Sequence, residues 1–253
     1  NAHYKRIGWN ARAQEGAVDG WYQTKFTLKE EPLVSILIPN KDHTDDLDVC
    51  LNSFFERADY QNYEFIIIEN NSVLPETFAY YEKIEKEHDN VKVVYWEAGF
   101  NYSAINNFGF KFAKGDYIML LNNDVELITP DIFQSMLGFC MRPEVGIVGA
   151  KLLYNDHTVQ HAGVLVGAGG LADHVFKGIH EDDPGYMGRA ISSQDVSAVT
   201  AACLLVKRSV YDRVGLFNLD YKLAADYELM LRMLKKYDFK IKYIDRLDRK
   251  SVV

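Results

Sequence analysis

The chain has 253 residues, 48% of them hydrophobic and 25% charged, which is typical of a globular protein with one large α/β domain. Its net charge of −8 argues against a nucleic-acid-binding protein, because such proteins usually carry a basic surface. No apolar run approaches the ~18 residues of a membrane span, and no secretory signal is visible. The chain begins with Asn1 rather than Met, so we expect a fragment of a longer polypeptide.

The three cysteines, Cys50, Cys140 and Cys203, each lie in an apolar run and lack the spacing of a metal site. Free cysteines in such surroundings behave as small apolar residues. We therefore expect reduced core cysteines in a cytoplasmic protein. Parts outside this chain could still bring it to the inner face of the membrane as a peripheral protein.

Residues 1–31 are mixed and polar, and we interpret them as an N-terminal extension or linker ahead of one domain at 32–253. Continuous apolar runs then alternate with helical patterns. The predicted strands are 34–38, 65–68, 91–95 and 116–121, and the predicted helices are 45–58, one that opens at Pro75, and 101–113. Strands and helices that alternate over short connections predict a parallel sheet with helices on its faces.

The second half of the chain is less regular. Its pattern predicts a helix at about 129–141, a strand at 145–153 and a final helix at about 222–236. A Gly-rich stretch, 163–170, precedes a polar segment, 173–195, that has no convincing period. A segment this long without secondary structure is usually a functional loop, so we predict a lid there.

The fourth predicted strand runs directly into Asn122, Asn123 and Asp124. In open α/β sheets, ligands bind in the crevice beyond the carboxyl ends of the strands. A carboxylate at that point can hold a hard divalent cation, which neutralises phosphates. Taken alone, however, these residues are explained better by a polar turn, since Asn and Asp favour turns.

Six stretches change that balance, because each lies where the β-α pattern requires it: PLVSILIPNKD, YEFIIIENNS, FNYSAINNFGFKFAKGDYIMLLNNDVE, VGIVGAKLLY, VQHAGVLVG and VTAACLLVKRSVYDRVGLF. Together they resemble family 2 glycosyltransferases of the GT-A fold, over about residues 32–236. The nearest pattern is that of bacterial rhamnosyl- and other hexosyltransferases of surface-polysaccharide synthesis. The resemblance implies an α/β protein with a single Rossmann-like, mostly parallel sheet, helices on both faces and a C-terminal acceptor-side region.

The resemblance also implies a nucleotide-binding half, 32–126, and an acceptor-binding, catalytic half, 127–253. Residues that match the donor site of the family are Pro39, Asn40, Asp42, Glu69, Asn71, Asn101, Asn106, Asn122 and Asn123. Glu69 stands where the family usually has Asp, and would accept a hydrogen bond from the imide N–H of uracil or thymine. Its alternative is a solvated strand end, and the alternative for Asn106 is a helix-surface residue.

Asp124 matches the last acid of the family's DXD-like motif, which is reduced here to Asn122-Asn123-Asp124. The implied cofactor is a divalent metal, Mn²⁺ or Mg²⁺, that stabilises the departing nucleoside diphosphate. Because the first acid is missing, water and the diphosphate must complete the ligand shell.

Asp226, in LAADYELMLR, matches the acid that deprotonates the acceptor hydroxyl, and Glu228 is the second candidate. The alternative for Asp226 is an acid that suits the positive end of a helix. Many relatives carry a His after the last helix, but residues 245–253 contain none. His161 and His174 are the remaining candidates for the donor or acceptor pocket.

The hypothesis is an inverting glycosyltransferase that moves a hexose or deoxyhexose from a UDP- or dTDP-sugar to a glycan or lipid-linked acceptor. The alternative is a non-catalytic module that binds a nucleotide or glycan within a larger polysaccharide synthase. A nucleotidyltransferase is disfavoured, because the acidic stretch PNKDHTDD follows the first strand in place of a Gly-rich basic loop. An oxidoreductase is disfavoured because no G-x-G-x-x-G follows an early strand.

Overall fold

The structure, a computed structural model, describes residues 1–16, 18–167, 172–221 and 225–250, the last five by their backbone alone. Its strands are β1 (Ala11–Glu15), β2 (Tyr22–Phe26), β3 (Val34–Asn40), β4 (Tyr63–Glu69), β5 (Val91–Tyr95), β6 (Tyr117–Leu121), β7 (Val125–Leu127), β8 (Val145–Leu153), β9 (Val159–His161), β10 (Val164–Val166), β11 (Ala172–His174), β12 (Gln194–Asp195), β13 (Cys203–Lys207) and β14 (Lys240–Lys250). Its helices are α1 (Ala2–Arg6), α2 (Thr44–Arg57), α3 (Pro75–Glu87), α4 (Tyr102–Phe110), α5 (Ile132–Cys140), α6 (Arg208–Val214) and α7 (Ala225–Tyr237), with a 3₁₀-helix at Tyr186–Ile191.

The central sheet follows the strand order β12-β14-β8-β13-β6-β3-β4-β5, with β7 paired to β14 and β9 paired to β8. Strands β5, β4, β3 and β6 are parallel neighbours, and β8 and β14 run in the same direction as these four. Only β13 and β12 oppose that direction along this path. The predicted α/β fold with a mostly parallel sheet is therefore confirmed.

Both faces of the sheet are covered by helices, because the central strands alternate buried side chains between two cores. In β3, Ile36 and Ile38 face the core formed with α2, α3 and α5, whereas Leu37 faces the core formed with α4, α6 and α7. Burying each such side chain contributes about 1.5–3 kcal/mol, so the continuous apolar runs stabilise both layers at once.

The predicted elements of the first half are present, with shifts at their ends. The predicted helix at 101–113 ends at Phe110, because the next backbone N–H groups bond to carbonyls three residues back, Lys111 to Phe108 and Phe112 to Gly109. In the second half, the described part of the last helix begins at Ala225, and the predicted start at 222–224 lies outside the described residues. Residues 168–170 of the Gly-rich stretch lie outside them as well.

The N-terminal residues form a hairpin that packs on the second half of the chain. Strands β1 and β2 pair antiparallel, and Phe26 lies edge-on to Phe139 of α5 with ring centroids 4.8 Å apart. Trp9 stacks on Phe26 with ring centroids 5.7 Å apart. The Phe26 ring lies against Gly138, whose missing side chain makes room for it. The side-chain amide of Gln23 also donates to Asp245 at 2.6 Å.

The segment at 173–195 has more secondary structure than its sequence predicts. It contains part of β11, the 3₁₀-helix and β12, so the expectation of a stretch without secondary structure was wrong there. Main-chain hydrogen bonds from Val159 to Ile179 and from Glu181 to His157 hold it against β9. Such backbone contacts leave no periodic apolar pattern, which explains why the sequence did not reveal them. Its closure as a lid stays a prediction.

None of the three cysteines forms a disulfide and all are fully buried, as expected of core residues. Within the described ranges, no helix combines the length and the apolar character that crossing a bilayer requires.

Candidate functional site

The strand ends of the first half of the chain meet at one edge of the sheet. Asn40 at the end of β3 lies beside Glu69 at the end of β4 in the strand register. Strand β6 flanks β3 on its other side and leads into Asn122, Asn123 and Asp124. Six of the predicted donor-site and metal-site residues therefore converge from three neighbouring strands: Pro39, Asn40, Glu69, Asn122, Asn123 and Asp124.

Side-chain hydrogen bonds connect these strand ends. Asn123 donates from Nδ2 to Asn40 Oδ1 at 2.7 Å, and Asn40 donates from Nδ2 to Tyr81 Oη at 2.8 Å. Tyr81, which comes from α3, donates in turn to Glu69 Oε2 at 2.8 Å. We call Asn40, Glu69, Ser72, Tyr81 and Asn123 the strand-end network.

Glu69 is buried rather than solvated, since only 3% of it is exposed. Its Oε1 accepts from the Ser72 N–H at 2.5 Å, and its Oε2 accepts from the Ser72 hydroxyl at 2.6 Å as well as from Tyr81. The alternative of a solvated strand end is thus wrong for Glu69. A carboxylate has about four lone-pair sites, so one remains for a ligand beyond these three donors.

Asp42 fixes the start of α3. Its carboxylate accepts from the backbone N–H groups of Val73 and Leu74, each at 3.1 Å, and from the Thr77 hydroxyl. Partial desolvation raises the pKa of Asp42, but the hydrogen bonds from Leu74, Val73 and Thr77 outweigh it, so the pKa is lowered. Asp42 is therefore an ionised carboxylate that already accepts hydrogen bonds from groups at the start of α3.

Asn71 adopts a left-handed backbone with φ 58° and donates from its amide to the Ala98 carbonyl at 2.7 Å. That bond joins the loop after β4 to the loop after β5. Pro39, which the resemblance assigns to the same pocket, precedes Asn40 in β3 and is half-buried.

The two candidate asparagines of α4 have local roles. Asn101 precedes the helix, and its side-chain oxygen accepts from the Ala104 N–H at 3.0 Å, which satisfies an otherwise unpaired donor of the first turn. Asn106 is only 2% exposed and donates to the Tyr102 carbonyl at 2.9 Å. The alternative of a helix-surface residue is wrong for Asn106.

The turn after β6 offers oxygen ligands to a cation. Asn122 donates its backbone N–H to the Ala202 carbonyl at 3.0 Å, which ties the turn to the residue before β13. Among the residues that the structure describes, no three His, Cys, Asp or Glu side chains are grouped as a metal site. One carboxylate at Asp124 with neighbouring amide oxygens is a hard, oxygen-only donor set, which fits Mg²⁺ or Mn²⁺ that keeps waters and phosphate oxygens.

Asp226 lies in the first turn of α7, next to the start of α4. Its Oδ1 accepts from the Tyr227 N–H at 2.8 Å. Burial, followed by the charge of Asp226, raises the pKa of Tyr102, which places the two side chains within electrostatic reach. Asp226 therefore lies within electrostatic reach of the first residue of α4, the helix that Asn101 caps.

Glu228 is committed to a salt bridge. Both of its oxygens accept from Arg232, at 3.0 and 2.8 Å. Arg232 also donates to the carbonyls of Val214 and Leu216, so the pair joins α7 to the end of α6. Glu228 therefore has a structural partner that occupies both of its oxygens.

His161 is fully buried and contacts His174, with 2.9 Å between their Nδ1 atoms. Its Nε2 accepts from the Thr200 N–H at 3.4 Å, so its single proton lies on Nδ1 and points at His174. Burial, followed by the nearby His174, lowers the pKa of His161 to about 3. His161 is therefore neutral at physiological pH. Its partner Thr200 lies two residues before Ala202, whose carbonyl accepts from the Asn122 N–H.

Sequence reasoning missed Tyr81 and Ser72. Tyr81 lies on the buried face of α3, where an aromatic residue indicates core packing rather than a polar role. Ser72 lies in a loop between two predicted elements. Neither residue carries a signal in the sequence, because their roles depend on contacts across neighbouring strand ends.

The chain belongs to glycosyl transferase family 2, since the sequence pattern that defines the family matches residues 35–215. It is 41% identical over 206 residues to the uncharacterized protein y4gI of Sinorhizobium fredii, covering 80% of this chain and 22% of that protein. It is 37% identical over 214 residues to the O-antigen biosynthesis protein RfbC of Myxococcus xanthus, covering 84% of this chain and 17% of that protein. The chain thus spans about a fifth of the length of these curated relatives.

The fold is the GT-A fold of solved glycosyltransferases. A mannosyltransferase from Pyrobaculum calidifontis, solved in complex with GDP-Man and Mn²⁺, aligns with a TM-score of 0.65 at 13% identity, over 100% of this chain and 64% of its own. GalNAc-T7, solved with UDP, GalNAc and Mn²⁺, aligns with a TM-score of 0.73 at 12% identity, over 90% of this chain and 45% of its own. At such low identities the likeness establishes the fold alone.

Proposed function

We propose that this chain is an inverting glycosyltransferase domain that moves a hexose or deoxyhexose from a nucleoside-diphosphate sugar to a glycan or lipid-linked saccharide. The observation that carries the proposal is the convergence of strand ends at one sheet edge, where β3, β4 and β6 bring together Asn40, Glu69 and Asp124. Asp226 of α7 lies within electrostatic reach of Tyr102 at the start of α4. In this proposal the strand ends would provide a nucleotide pocket and a cation ligand, and Asp226 would provide a base.

The strand-end network would receive the nucleotide. Glu69 retains one acceptor site for a base N–H, and the helix start capped by Asn101 offers backbone donors toward the diphosphate. UDP and dTDP carry an imide N–H that a carboxylate recognises. The solved structures of similar fold hold GDP-Man and UDP, so GDP is a third nucleotide to be tested.

Asp124 would hold a divalent cation together with the neighbouring amide oxygens, and such a cation, when bound, neutralises charge on the leaving diphosphate. Asp226 would take the proton of the acceptor hydroxyl as that oxygen attacks the anomeric carbon. One base acting on the acceptor, with the leaving group on the opposite side, gives inversion at the anomeric carbon. The segment at 173–195 would exclude water that otherwise hydrolyses the donor.

The acceptor belongs to surface-polysaccharide synthesis in this proposal, because one relative is an O-antigen biosynthesis protein. The two relatives are about four and about five times as long as this chain, so other parts of a longer protein would supply membrane contact.

Calorimetric titration with UDP, dTDP and GDP, each with and without Mn²⁺, tests the proposal. We expect one nucleotide to bind in a metal-dependent way, and Asp124→Ala to abolish that dependence while Asp59→Ala, a change of an exposed acid, preserves it. Absence of binding for all three nucleotides would contradict the proposal. Metal-dependent binding without sugar transfer or donor hydrolysis would instead favour a non-catalytic binding module, which the single acid of the Asn122-Asn123-Asp124 turn also allows.

A further inference from the structure

Tyr81 differs from Tyr60 and Tyr243, two other fully buried tyrosines, in what its hydroxyl contacts. Tyr243 donates to the backbone carbonyl of Ala190, and Tyr60 donates to that of Pro32. Tyr81, which is 0% exposed, instead contacts two side chains at the ends of neighbouring strands, Asn40 and Glu69. A tyrosine that served only the core would not need polar partners from two strands.

The direction of each hydrogen bond in this network is fixed. Asn40 donates from Nδ2 to both Tyr81 Oη and the Asp42 carbonyl, each at 2.8 Å, so both of its amide hydrogens are used. If the Asn40 side-chain amide were reversed, its Oδ1 would face the Asp42 carbonyl oxygen, and both atoms are acceptors. Asn40 Oδ1 must therefore face the Asn123 amide. Burial, together with the nearby Glu69, raises the pKa of Tyr81, which keeps the hydroxyl proton available to that carboxylate.

The network therefore runs from the buried carboxylate to the turn after β6. Tyr81 orients Asn40, Asn40 accepts from Asn123, and Asn123 precedes Asp124 in the chain. With its Nδ2 held by Asn40, the side-chain amide of Asn123 has a single orientation. The position of the turn thus depends on a hydroxyl from helix α3.

We propose that Tyr81 is a positioning residue that sets the metal-binding turn, acting through Asn40 and Asn123. The inference rests on the proposed function, because it concerns how that turn meets a cation and a nucleoside diphosphate. Removing the hydroxyl leaves a buried Asn40 N–H without its acceptor and removes the contact through which Tyr81 holds Asn40. Helix α3 then no longer fixes the turn, and metal-dependent nucleotide binding weakens.

The test compares Tyr81→Phe with Tyr243→Phe, a matched loss of one buried hydroxyl far from the strand ends. Mn²⁺ affinity would be measured by calorimetry and by electron paramagnetic resonance of Mn²⁺, with whichever of UDP, dTDP or GDP the wild-type protein binds. We expect binding about tenfold weaker in Tyr81→Phe, the size of one lost hydrogen bond, and unchanged within about twofold in Tyr243→Phe. Urea unfolding of both variants separates this effect from stability.

Asn123→Ala tests the same connection from the other end, in a half-buried turn where misfolding is not expected. It should weaken Mn²⁺-dependent binding as Tyr81→Phe does, and the double variant should lose no more than either single variant. Full Mn²⁺ affinity in Tyr81→Phe or in Asn123→Ala, or an equal loss in Tyr243→Phe, overturns the inference alone. A wild-type protein that binds none of the three nucleotides overturns the proposed function as well.

Discussion

The two halves of the chain build their parts of the site differently. In the first half, Asn40 and Glu69 stand at the ends of parallel strands and are joined through the hydroxyl of Tyr81 from α3. In the second half, Asp226 lies in the first turn of a helix and His161 on a three-residue strand. The difference teaches that the proposed donor site is built into the sheet, whereas the proposed base depends on one helix.

The largest expected effect concerns that base. Asp226→Asn should lower the rate of sugar transfer about 10²–10⁴-fold, the usual contribution of a general base, because an amide does not accept the acceptor's proton. Nucleotide binding by calorimetry should remain, since the strand-end network lies in the other half. Asp220→Asn, which changes an exposed acid ahead of the same helix, is the control. Comparable transfer rates in Asp226→Asn and the wild-type protein would rule Asp226 out as the base.

The buried histidine of the second half should make stability depend on pH. The pKa of His161 is about 3 in the folded protein and 6.5 in the unfolded chain, so only the unfolded state takes up this proton between those values. The free energy of unfolding should therefore fall by about 1.4 kcal/mol per pH unit from this group as the pH drops from 6.5 toward 3.

Urea unfolding at several pH values measures that slope. His161→Gln should flatten it, while His180→Gln, which changes an exposed histidine, should leave it as in the wild-type protein. Equal slopes in all three proteins would show that His161 titrates normally.

Packing of the N-terminal hairpin on the second half predicts a smaller effect. A Cβ atom at Gly138 would lie 2.1 Å from Cγ of Phe26, so Gly138→Ala should displace the Phe26 ring from α5. Overpacking of this kind costs about 1–3 kcal/mol, partly offset by about 1 kcal/mol of helix propensity. Thermal unfolding should show the loss. Gly99→Ala, which meets no atom within 4 Å, serves as the control, and a stable Gly138→Ala would mean that the hairpin is not docked there.

The smallest effect is expected at Glu228, two residues from the proposed base. Glu228→Gln should leave the transfer rate within about twofold and cost at most about 1 kcal/mol, as is usual for a partly exposed ion pair. Arg232 keeps its two backbone carbonyl acceptors in this variant. A large loss of transfer in Glu228→Gln with normal stability would reverse the roles assigned to Asp226 and Glu228.

The sequence predicted the first half well because parallel, fully buried strands leave continuous apolar runs such as Val34–Asn40. The second half was harder, since the sequence has one apolar run at 196–206, of which β13 covers only the end, and the antiparallel direction of β13 depends on pairing with distant strands. The candidate site shows a similar division. Asn40 and Glu69 were named through the family resemblance, at the ends of strands that the sequence predicts, whereas Tyr81 and the contact between His161 and His174 depend on the tertiary fold.

Strand β13 also has a mechanical consequence. It is bonded to β6 on one side and to β8 on the other, and the Asn122 N–H extends that bonding to Ala202. Among the residues that the structure describes, the two halves therefore share one continuous hydrogen-bonded sheet, with no break along which they could hinge. In the proposed reaction, substrates must enter and products must leave through local movement of the segments at the edge of this sheet. Mutations that slow product release are accordingly expected in those edge segments and not between the halves.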